Sequence, residues 1–340
     1  MKNSGSCLII GGGMTGLMAA TVLKRHGLDV TVLDKGRGIG GRLATRRLTY
    51  SEEIEGVFDY GAQYFTASDA VGTLRDRQFQ GWVDEWLAEG VITEWSQGFF
   101  QESGSFKSSH KPCYRGTKSN RSLAQYLAQS LTVYTNTQVT QLSWQDDHWQ
   151  VQTQTGEIFQ GDRLILTPPV PQSLTLLDHS GIALNSEIRQ KLEQVTYYPC
   201  ITMLALLEKP SQIPAPGGLW GSGHPLGWIA CNYQKGISAR GYAVTLQAGP
   251  EFSQNYWDQD NAEIAQELLK AADSWLVSKV LDYQIHRWRY SQVAVSYGEP
   301  CLVLGEPGPL ILAGDGFLAP KIEGAVLSGL AAARSLLSLR

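Results

Sequence analysis

The chain has 340 residues, more than the ~100–200 residues of a typical domain, so it can form one large domain or two interleaved ones. Its 28 basic and 32 acidic residues give a formal charge of −4, which provides no basic surface for nucleic acid or an anionic membrane. The five cysteines include no Cys-x-x-Cys pair, and the six histidines do not occur at metal-ligand spacing. We therefore expect no metal site, no nucleic-acid or membrane partner, and the reduced cysteines of a cytoplasmic protein.

A strand, a glycine-rich turn, a helix and a second strand are predicted at the N-terminus. Residues 7–10 form a short apolar run, as expected for a parallel strand that is buried on both faces. Residues 14–26 are compatible with a helix that ends at Gly27, and residues 30–33 form a second β-branched run. Because glycines interrupt residues 8–23 and no acceptable cleavage site follows, we interpret this stretch as a βαβ unit rather than a signal peptide.

Further elements are predicted along the rest of the chain. Residues 139–144, 149–153 and 163–166 are predicted to form a β-meander, because turn-prone residues separate these short runs. The other predictions are a helical segment around Trp82 and Trp86, a loop over 103–116, strands over 199–207, 226–233, 242–247 and 283–290, a helix over 262–280, a buried strand over 310–313, a turn over 314–316, and a helix from about residue 322.

The pattern Gly11-x-Gly13-x-x-Gly16 follows the first predicted strand and opens the first predicted helix. In this pattern the first glycine permits a sharp turn, the second lets the backbone approach a pyrophosphate, and the third lets helix and strand pack closely. Asp34 lies 18 residues after Gly16, at the end of the second strand, where a carboxylate can bind ribose hydroxyls. These features predict a dinucleotide site with its phosphates at the N-terminus of the helix.

Several other segments resemble motifs of FAD-binding oxidoreductases of the amine oxidase and hydroxylase superfamily, and together they are similar to renalase-type flavoproteins. In that group, the Gly-Gly-Arg motif follows the second strand, a later segment lines the isoalloxazine ring, and a last motif lies near the C-terminus. The resemblance is strong over residues 5–66 and 284–333 and thin over residues 71–283. The segments that carry it are 34–42 with Gly40-Gly41-Arg42, 58–66 with Gly61-Ala62-Gln63-Tyr64, 286–290, 313–315 and 321–325.

The resemblance implies an α/β fold, in which a Rossmann-type FAD-binding domain with a β-meander is interleaved with a substrate domain built on a mainly antiparallel sheet with helices. The predicted FAD-binding domain comprises residues 1–70, 117–172 and 290–340, and the predicted substrate domain comprises 71–116 and 173–289. Non-covalent FAD is implied, and no cysteine lies in a recognisable flavin-linkage motif. The implied FAD-binding residues are Gly11, Gly13, Met14, Thr15, Gly16, Asp34, Lys35, Gly41, Arg42, Gly61, Ala62, Gln63, Tyr64, Val139, Gly314, Asp315, Ile322, Gly324 and Ala325.

The route of electrons follows from what the sequence lacks. It contains one dinucleotide fingerprint and no dithiol pair, so we expect the reductant to enter a cleft between the domains and give its hydride directly to flavin N5. Oxygen is then the expected acceptor. Renalase-like proteins oxidise isomeric dihydronicotinamide dinucleotides to NAD(P)+ and form hydrogen peroxide, and the resemblance implies the same reaction here. Hydride loss from such an electron-rich ring needs no strong general base.

The candidate catalytic residues are Tyr64, Trp288, Asn232 and His286. The two aromatic residues can stack on a nicotinamide, as can Trp228 or Tyr233, although core packing is an alternative for each ring. Asn232 can bind the carboxamide or be a buried structural asparagine, and His286 can orient substrate or fill a core position. A further set of basic residues can contact substrate phosphates, but the preferred interpretation is that they are solvated surface charges; they are Arg115, Lys118, Arg121, Lys235 and Arg240.

Two alternatives to a renalase-like oxidase stay open at this point. A flavin amine oxidase or a related desaturase would hold a neutral amine within an aromatic cage, which the tryptophan and tyrosine content permits. A non-catalytic FAD-dependent binding or sensory protein would bind the cofactor without turnover. In each case we expect a small-molecule ligand and a monomer or weak homodimer.

Overall fold

The structure is a computed structural model that describes residues 5–67 and 74–339. Its strands are β1 Ser6–Ile10, β2 Asp29–Leu33, β3 Thr45–Thr49, β4 Glu55–Asp59, β5 Ile92–Gln101, β6 Phe106–Gly116, β7 Thr132–Tyr134, β8 Val139–Gln145, β9 His148–Thr153, β10 Ile158–Gly161, β11 Arg163–Leu166, β12 Thr196–Leu207, β13 Gly218–Trp220, β14 Leu226–Cys231, β15 Tyr242–Ala248, β16 Val280–Val295, β17 Cys301–Leu304 and β18 Leu310–Ala313. Its helices are α1 Met14–Arg25, α2 Leu74–Ala88, α3 Arg121–Ala128, α4 Val170–His179, α5 Ser186–Glu193, α6 Pro250–Asn255, α7 Asn261–Leu276, α8 Asp315–Leu318 and α9 Ile322–Ser338.

The chain divides into two compact units. Unit 1 comprises Met1–Gly41, Ala124–Tyr197 and Val293–Arg340, and unit 2 comprises Arg42–Leu123 and Tyr198–Gln292. These boundaries differ from those of the predicted domains, because the hairpin of β3 and β4 groups with unit 2. In that unit Phe58 shares a buried cluster with Leu204 and Leu206 of β12. Which unit carries the cofactor and which the substrate stays a prediction.

Unit 1 is built on a six-stranded sheet in the order β17-β18-β11-β1-β2-β7, in which neighbours are parallel except for the antiparallel pair β17 and β18. Residues of β1 alternate between two cores: Cys7 and Ile9 pack with α1 and α9, whereas Leu8 and Ile10 pack with β9 and α4. Both faces of the sheet are therefore covered, which explains the continuous apolar run of β1. The predicted βαβ unit is confirmed.

Two predictions for unit 1 are wrong in detail. Residues 163–166 do not belong to the meander, because β11 pairs in parallel with β1 in the central sheet. The third meander strand is β10, and the antiparallel sheet has the order β10-β9-β8. The predicted turn over 314–316 contains only Gly314 as a bend, since Asp315 begins the short helix α8. Short polar-flanked strands such as β10 carry too little apolar pattern to be assigned from sequence.

Unit 2 is built on a seven-stranded sheet in the order β16-β12-β15-β14-β13-β5-β6. The strands predicted over 199–207, 226–233, 242–247 and 283–290 lie within or overlap β12, β14, β15 and β16. The loop predicted over 103–116 is wrong, because β6 occupies most of it and pairs antiparallel with β5. Since β6 is the edge strand, it tolerates the polar residues and the Pro112 that conceal its strand character. The predicted α/β class, with a parallel sheet and a mainly antiparallel second sheet, is confirmed.

Candidate functional site

The first glycine motif forms the tight connection between β1 and α1. Gly11 has φ +107°, and a Cβ there would lie 2.4 Å from the hydroxyl oxygen of Thr167. A Cβ at Gly16 would lie 2.0 Å from the carbonyl oxygen of Gly11, so only glycine permits this approach of helix and strand. A Cβ at Gly13, in contrast, would meet no heavy atom within 4 Å. The first and third glycines therefore serve the fold, and Gly13 leaves space beside the helix N-terminus.

Asp34 joins the two glycine-rich loops of unit 1. Its Oδ2 accepts a 2.6 Å hydrogen bond from the amide of Gly12, and its Oδ1 accepts one of 2.6 Å from the amide of Gly36. The amide of Gly40 donates to the carbonyl of Gly12 at 2.8 Å, which fixes the second loop against the first. A carboxylate has about four acceptor sites, so each oxygen can still accept from a ribose hydroxyl.

The N-terminus of α1 presents backbone donors without a side-chain cap. Gly13 is the N-cap residue, it makes no side-chain capping hydrogen bond, and the first turn holds no acidic residue. The first N–H groups of this helix of 12 residues, including those of Met14 and Thr15, can therefore bind a phosphate with the favourable end of the helix dipole. Lys35 lies in the same unit, but its ammonium is exposed and donates to Gln172 Oε1 at 3.1 Å.

The C-terminal motif is held against α1. Thr15 Oγ1 donates to the carbonyl of Ala325 at 2.9 Å, and the amide of Gly314 donates to Ser328 Oγ at 2.8 Å. A Cβ at Gly324 would lie 2.1 Å from the carbonyl oxygen of Ala319, so the start of α9 also requires glycine. The acidic Glu323 lies in the first turn of α9, and its negative charge disfavours an anion at that helix end.

Three other predicted FAD-binding residues of unit 1 are buried or half-buried in ordinary packing positions. Asp315 is 7% exposed at the start of α8, and Ile322 is 8% exposed at the start of α9. Val139 begins β8 and packs against the core cluster that contains Leu142 and Val151. Their proposed contacts with FAD stay predictions.

Unit 2 holds residues 59–64, which we call the 59–64 segment, by an unusual set of contacts. Every carbonyl from Asp59 to Gln63 accepts at least one hydrogen bond from a side chain, at 2.6–3.3 Å. The donors are Gln63 and Thr245 to Asp59 O, Gln247 and Trp288 to Tyr60 O, Gln63 and Gln247 to Gly61 O, Asn120 to Ala62 O, and Asn120 and Lys235 to Gln63 O.

Gly61 sits at the tightest point of this segment. A Cβ there would lie 2.1 Å from the carbonyl oxygen of Arg42, and that carbonyl accepts from the amide of Ala62 at 2.8 Å. The Arg42 guanidinium donates to the carbonyl of Ser291 at 3.2 Å, so one of its nitrogens is engaged within unit 2. The 59–64 segment is therefore held by the Ala62 amide as well as by its carbonyls.

Lys235 is wholly buried, which contradicts both sequence interpretations of this residue. Its ammonium donates to Asp59 Oδ2 at 2.9 Å and to the carbonyl of Gln63 at 2.8 Å, and both side chains of the ion pair are 0% exposed. It is neither a solvated surface charge nor available to a substrate phosphate. Burial lowers the pKa of this ammonium, and the adjacent Asp59 carboxylate acts in the opposite direction.

The other basic candidates are exposed or half-buried, and the Nε atoms of Arg115 and Arg121 have no hydrogen-bond partner among the described residues. Arg115 donates to the carbonyls of Gly116 and Thr117 at 2.9 and 2.8 Å, and Arg240 pairs with Glu55 at 2.9 Å. Lys118 is exposed, as expected for a solvated charge, and Arg121 is half-buried at the start of α3. The contacts of Arg115 and Arg240 and the exposure of Lys118 favour structural or surface roles over substrate binding.

Tyr64 belongs to an aromatic cluster with Trp95, Phe99 and Trp228, whose ring centroids lie 6.3, 5.0 and 5.6 Å from that of Tyr64. The cluster extends to the buried ion pair, because the Lys235 ammonium lies 4.8 Å above the ring of Trp95. Burial raises the pKa of the Tyr64 hydroxyl, so this group stays protonated at neutral pH. Tyr233, the fourth aromatic candidate for stacking, is 45% exposed and contacts the ring of Tyr242.

Trp288 and His286 form a second aromatic group around Tyr60. The Trp288 ring stacks on Tyr60 at 5.2 Å, and its indole N–H donates to the Tyr60 carbonyl at 3.0 Å. His286 meets Tyr60 edge-on at 5.0 Å and Trp288 at 4.4 Å. Burial and the nearby Arg46 guanidinium lower the pKa of His286 to about 4, so its imidazole is neutral at pH 7.

Asn232 follows the last residue of β14 and is 0% exposed. Its Oδ1 accepts from the amide of Asp59 at 3.3 Å, and its Nδ2 donates to Thr245 Oγ1 at 2.9 Å. The side chain is thus used within the protein, which supports the structural alternative over carboxamide binding. Sequence reasoning did not identify Asp59, Asn120, Thr245 or Gln247 as functional, because their partners lie far away along the chain.

Comparisons with known proteins agree with this geometry. The family described as NAD(P)-binding Rossmann-like domain matches residues 9–77, and the family described as Flavin containing amine oxidoreductase matches residues 87–337. The chain belongs to the flavin containing amine oxidoreductase family. It is also similar to renalase of Mus musculus, with 27% identity over 342 residues that cover 97% of this chain and 98% of that protein.

A solved structure shows the same fold for this family member. The crystal structure of a candidate protoporphyrinogen oxidase from Exiguobacterium sp. 255-15 matches with a TM-score of 0.71 and 16% identity, covering 97% of this chain and 98% of that one. At this identity the likeness concerns the fold alone. The predicted resemblance to the amine oxidase superfamily and the predicted α/β fold are therefore confirmed.

Membership of the family implies FAD, and the described residues fit it. The uncapped start of α1, the space beside Gly13 and the Asp34 carboxylate suit the phosphates and a ribose. Within residues 5–67 and 74–339, no cluster of three or more His, Cys, Asp or Glu side chains suits a metal ion. Over the same residues, no helix combines the length and the hydropathy needed to cross a membrane.

Proposed function

We propose that this family member is a renalase-like oxidase that binds FAD without a covalent link and oxidises isomeric dihydronicotinamide dinucleotides. The substrate would lose a hydride and become NAD(P)+, and molecular oxygen, with one proton, would become hydrogen peroxide. The proposal is supported by the near full-length similarity to renalase and by the chemistry of the candidate catalytic side chains.

In this proposal the residues of each unit have separate tasks. Gly13, Met14, Thr15 and Asp34 bind the pyrophosphate and a ribose, while the other candidates in unit 1 line the cofactor. Residues 61–64 and Arg42 of unit 2 contact the isoalloxazine ring and the pyrophosphate. When bound, FAD supplies the hydride acceptor and the two-electron route to oxygen.

The observation that carries the proposal is the 27% identity to renalase over 97% of this chain, and the protonation of the two titratable candidates, Tyr64 and His286, agrees with it. The raised pKa of Tyr64 keeps its hydroxyl protonated, and the pKa of about 4 for His286 leaves a neutral imidazole of very low basicity. Neither group can remove a proton from an alcohol at neutral pH. A dihydronicotinamide ring needs no such base, because hydride loss itself completes its oxidation.

Tyr64 and Trp288 then orient the substrate by contact rather than by acid–base chemistry. The Tyr64 ring is fixed by three aromatic neighbours, and the Trp288 ring is fixed by stacking and by its hydrogen bond to the Tyr60 carbonyl. Aromatic rings held in this way lose little conformational entropy when a planar ring binds. His286, which contacts Trp288, would support that ring.

Amine oxidation is the second candidate, because the aromatic cluster around Tyr64 resembles an amine-binding cage. The cluster already contains a cation, since the Lys235 ammonium lies over the ring of Trp95. The Asp59 carboxylate balances that charge, and this candidate reaction uses a neutral amine, so the cluster is compatible with it. Peroxide production from a panel of primary amines and polyamines tests this candidate.

The test of the proposal is anaerobic mixing of the FAD-loaded protein with 2- and 6-dihydronicotinamide dinucleotides in a stopped-flow spectrophotometer. We expect the flavin absorbance to bleach within seconds, and oxygen to restore it with formation of one peroxide per NAD(P)+. Absence of bleaching with both isomers contradicts the proposed substrate. Bleaching by amines instead would support the second candidate.

A further inference from the structure

The buried pair of Lys235 and Asp59 is more elaborate than unit 2 needs for packing. Lys235 lies in the connection between β14 and β15, and Asp59 ends β4, 176 residues away along the chain. The Asp59 carboxylate also accepts from Thr45 Oγ1 at 2.7 Å and from the amide of Asn120 at 3.1 and 3.2 Å. Both charges are therefore paired and hydrogen-bonded, as burial requires.

An ion pair of this kind is not needed for stability alone. Well-packed apolar residues of similar volume often stabilise a core as well as a buried ion pair does, or better. The neighbours of Lys235 are compatible with an apolar side chain, since Trp95 lies on one side and the cluster of Phe99 and Trp228 adjoins it. The function of the charge therefore depends on the groups to which the Lys235 ammonium donates.

The ammonium holds the peptide unit between Gln63 and Tyr64. Its hydrogen bond to the Gln63 carbonyl fixes the plane of that peptide, and the planar amide directs the Tyr64 N–H to the opposite side. Asn120 fixes the peptide of Ala62 and Gln63 in the same way, and Gln247 with Trp288 fixes that of Tyr60 and Gly61.

The N–H groups of these three peptides are free to donate a hydrogen bond to a ligand. Over the part of the chain that the structure describes, the amides of Gly61, Gln63 and Tyr64 have no hydrogen-bond acceptor, although the carbonyl of each of their peptides is occupied. Buried or half-buried amides are normally paired, so such donors suit a ligand that brings acceptors. A planar ring with carbonyl oxygens and imine nitrogens meets that need.

We propose that Lys235 is a positioning residue that, with Asp59 as its counter-ion, fixes the Gln63–Tyr64 peptide so that its N–H donates to an acceptor atom of the bound isoalloxazine ring. This inference rests on the proposed binding of FAD. Fixed donors to the ring stabilise the electron-rich reduced form more than the oxidised form, so they raise the reduction potential. Lys235 thus acts on cofactor affinity and potential without touching the cofactor.

The test uses the double variant Asp59→Asn/Lys235→Met, which removes both buried charges together. We expect its apoprotein to bind FAD roughly tenfold more weakly than the wild type. We also expect its midpoint potential, measured by dye equilibration, to be more negative. Lys270→Met is the matched control, because Lys270 is exposed on α7 in the same unit, and it should change neither quantity.

A second variant covers the case in which the double variant does not fold. Asn120→Ala removes the donors to the Ala62 and Gln63 carbonyls without removing a charge, and it should also weaken FAD binding and lower the potential. If either variant folds and has the FAD affinity and midpoint potential of the wild type, the inference about Lys235 is wrong. The proposed function is not affected by that result. A wild-type protein that binds no FAD contradicts both.

Discussion

The two units hold their candidate functional residues by different means. In unit 1, glycines and backbone groups close in sequence build the site, as when Asp34 joins the amides of Gly12 and Gly36. In unit 2, buried side chains from distant parts of the chain hold the 59–64 segment, with Lys235 and Asp59 at the centre. The first arrangement depends on the absence of side chains, and the second depends on their presence.

This difference predicts which kind of substitution damages each unit. Added volume should damage the glycine loops of unit 1, whereas loss of charge or of a hydrogen bond should damage unit 2. In unit 1 the backbone N–H groups that we propose bind a phosphate are supplied by the fold at no further cost in side-chain order. In unit 2 the same kind of donor, a backbone N–H, is aimed by side chains bound to the neighbouring carbonyl.

The largest expected effect is on the stability of Lys235→Met. The substitution leaves the Asp59 carboxylate buried without a counter-charge, and we expect a loss of about 3–5 kcal/mol in the free energy of unfolding. Urea unfolding measures this loss. Adding Asp59→Asn should restore much of it, since the two positions are in contact. A single variant as stable as wild type would show that the ion pair does not exist.

The next prediction is that substitutions at Gly16 and at Gly13 of unit 1 have different effects on stability and on FAD binding. Gly16→Ala places a Cβ against the Gly11 carbonyl and should cost about 1–3 kcal/mol of stability. Gly13→Val projects into open space and should leave the melting temperature nearly unchanged, while it blocks FAD uptake. Thermal unfolding of the apoproteins and FAD titration provide the two measurements. If Gly13→Val binds FAD normally, the space beside Gly13 is not the pyrophosphate site.

A smaller effect concerns the stability of unit 2 at mildly acid pH. The pKa of His286 is about 4 in the folded protein, below the ~6.5 of an unfolded chain, so the unfolded state binds more protons between these values. His286 therefore contributes stability above pH 6.5 that is lost as pH falls toward 4, by about 1 kcal/mol after allowance for its partial exposure. Unfolding of wild type and His286→Phe across pH 4–7 tests this; equal slopes would contradict it.

The smallest effect is expected for Tyr64→Phe. The Tyr64 hydroxyl has no hydrogen-bond partner among the residues that the structure describes, and its ring keeps its aromatic contacts in the variant. We expect the unfolding free energy to change by less than about 0.5 kcal/mol. Flavin reduction should also keep its pH profile, because the hydroxyl stays protonated. If the rate of flavin reduction depended on pH in the wild type but not in the variant, the hydroxyl would instead act as an acid or a base.

The contrast between the units also explains what the sequence could predict. The βαβ unit was predictable because Gly11, Gly13, Gly16 and Asp34 lie within one local pattern, and β18 was predictable from its apolar run. The network of unit 2 was not, because nothing near Lys235 indicates that it meets Asp59 across 176 residues of sequence. Edge strand β6 was missed for a related reason, since its pairing with β5, not its own composition, defines it.

The proposed function requires that the protein binds FAD, and titration of the purified apoprotein tests this most directly. We predict saturation at one FAD per chain, a resolved flavin spectrum, and release of unmodified FAD when the protein is denatured with acid. Flavin that stays attached after denaturation would contradict the non-covalent link. A protein that takes up no flavin at all would contradict the proposed function.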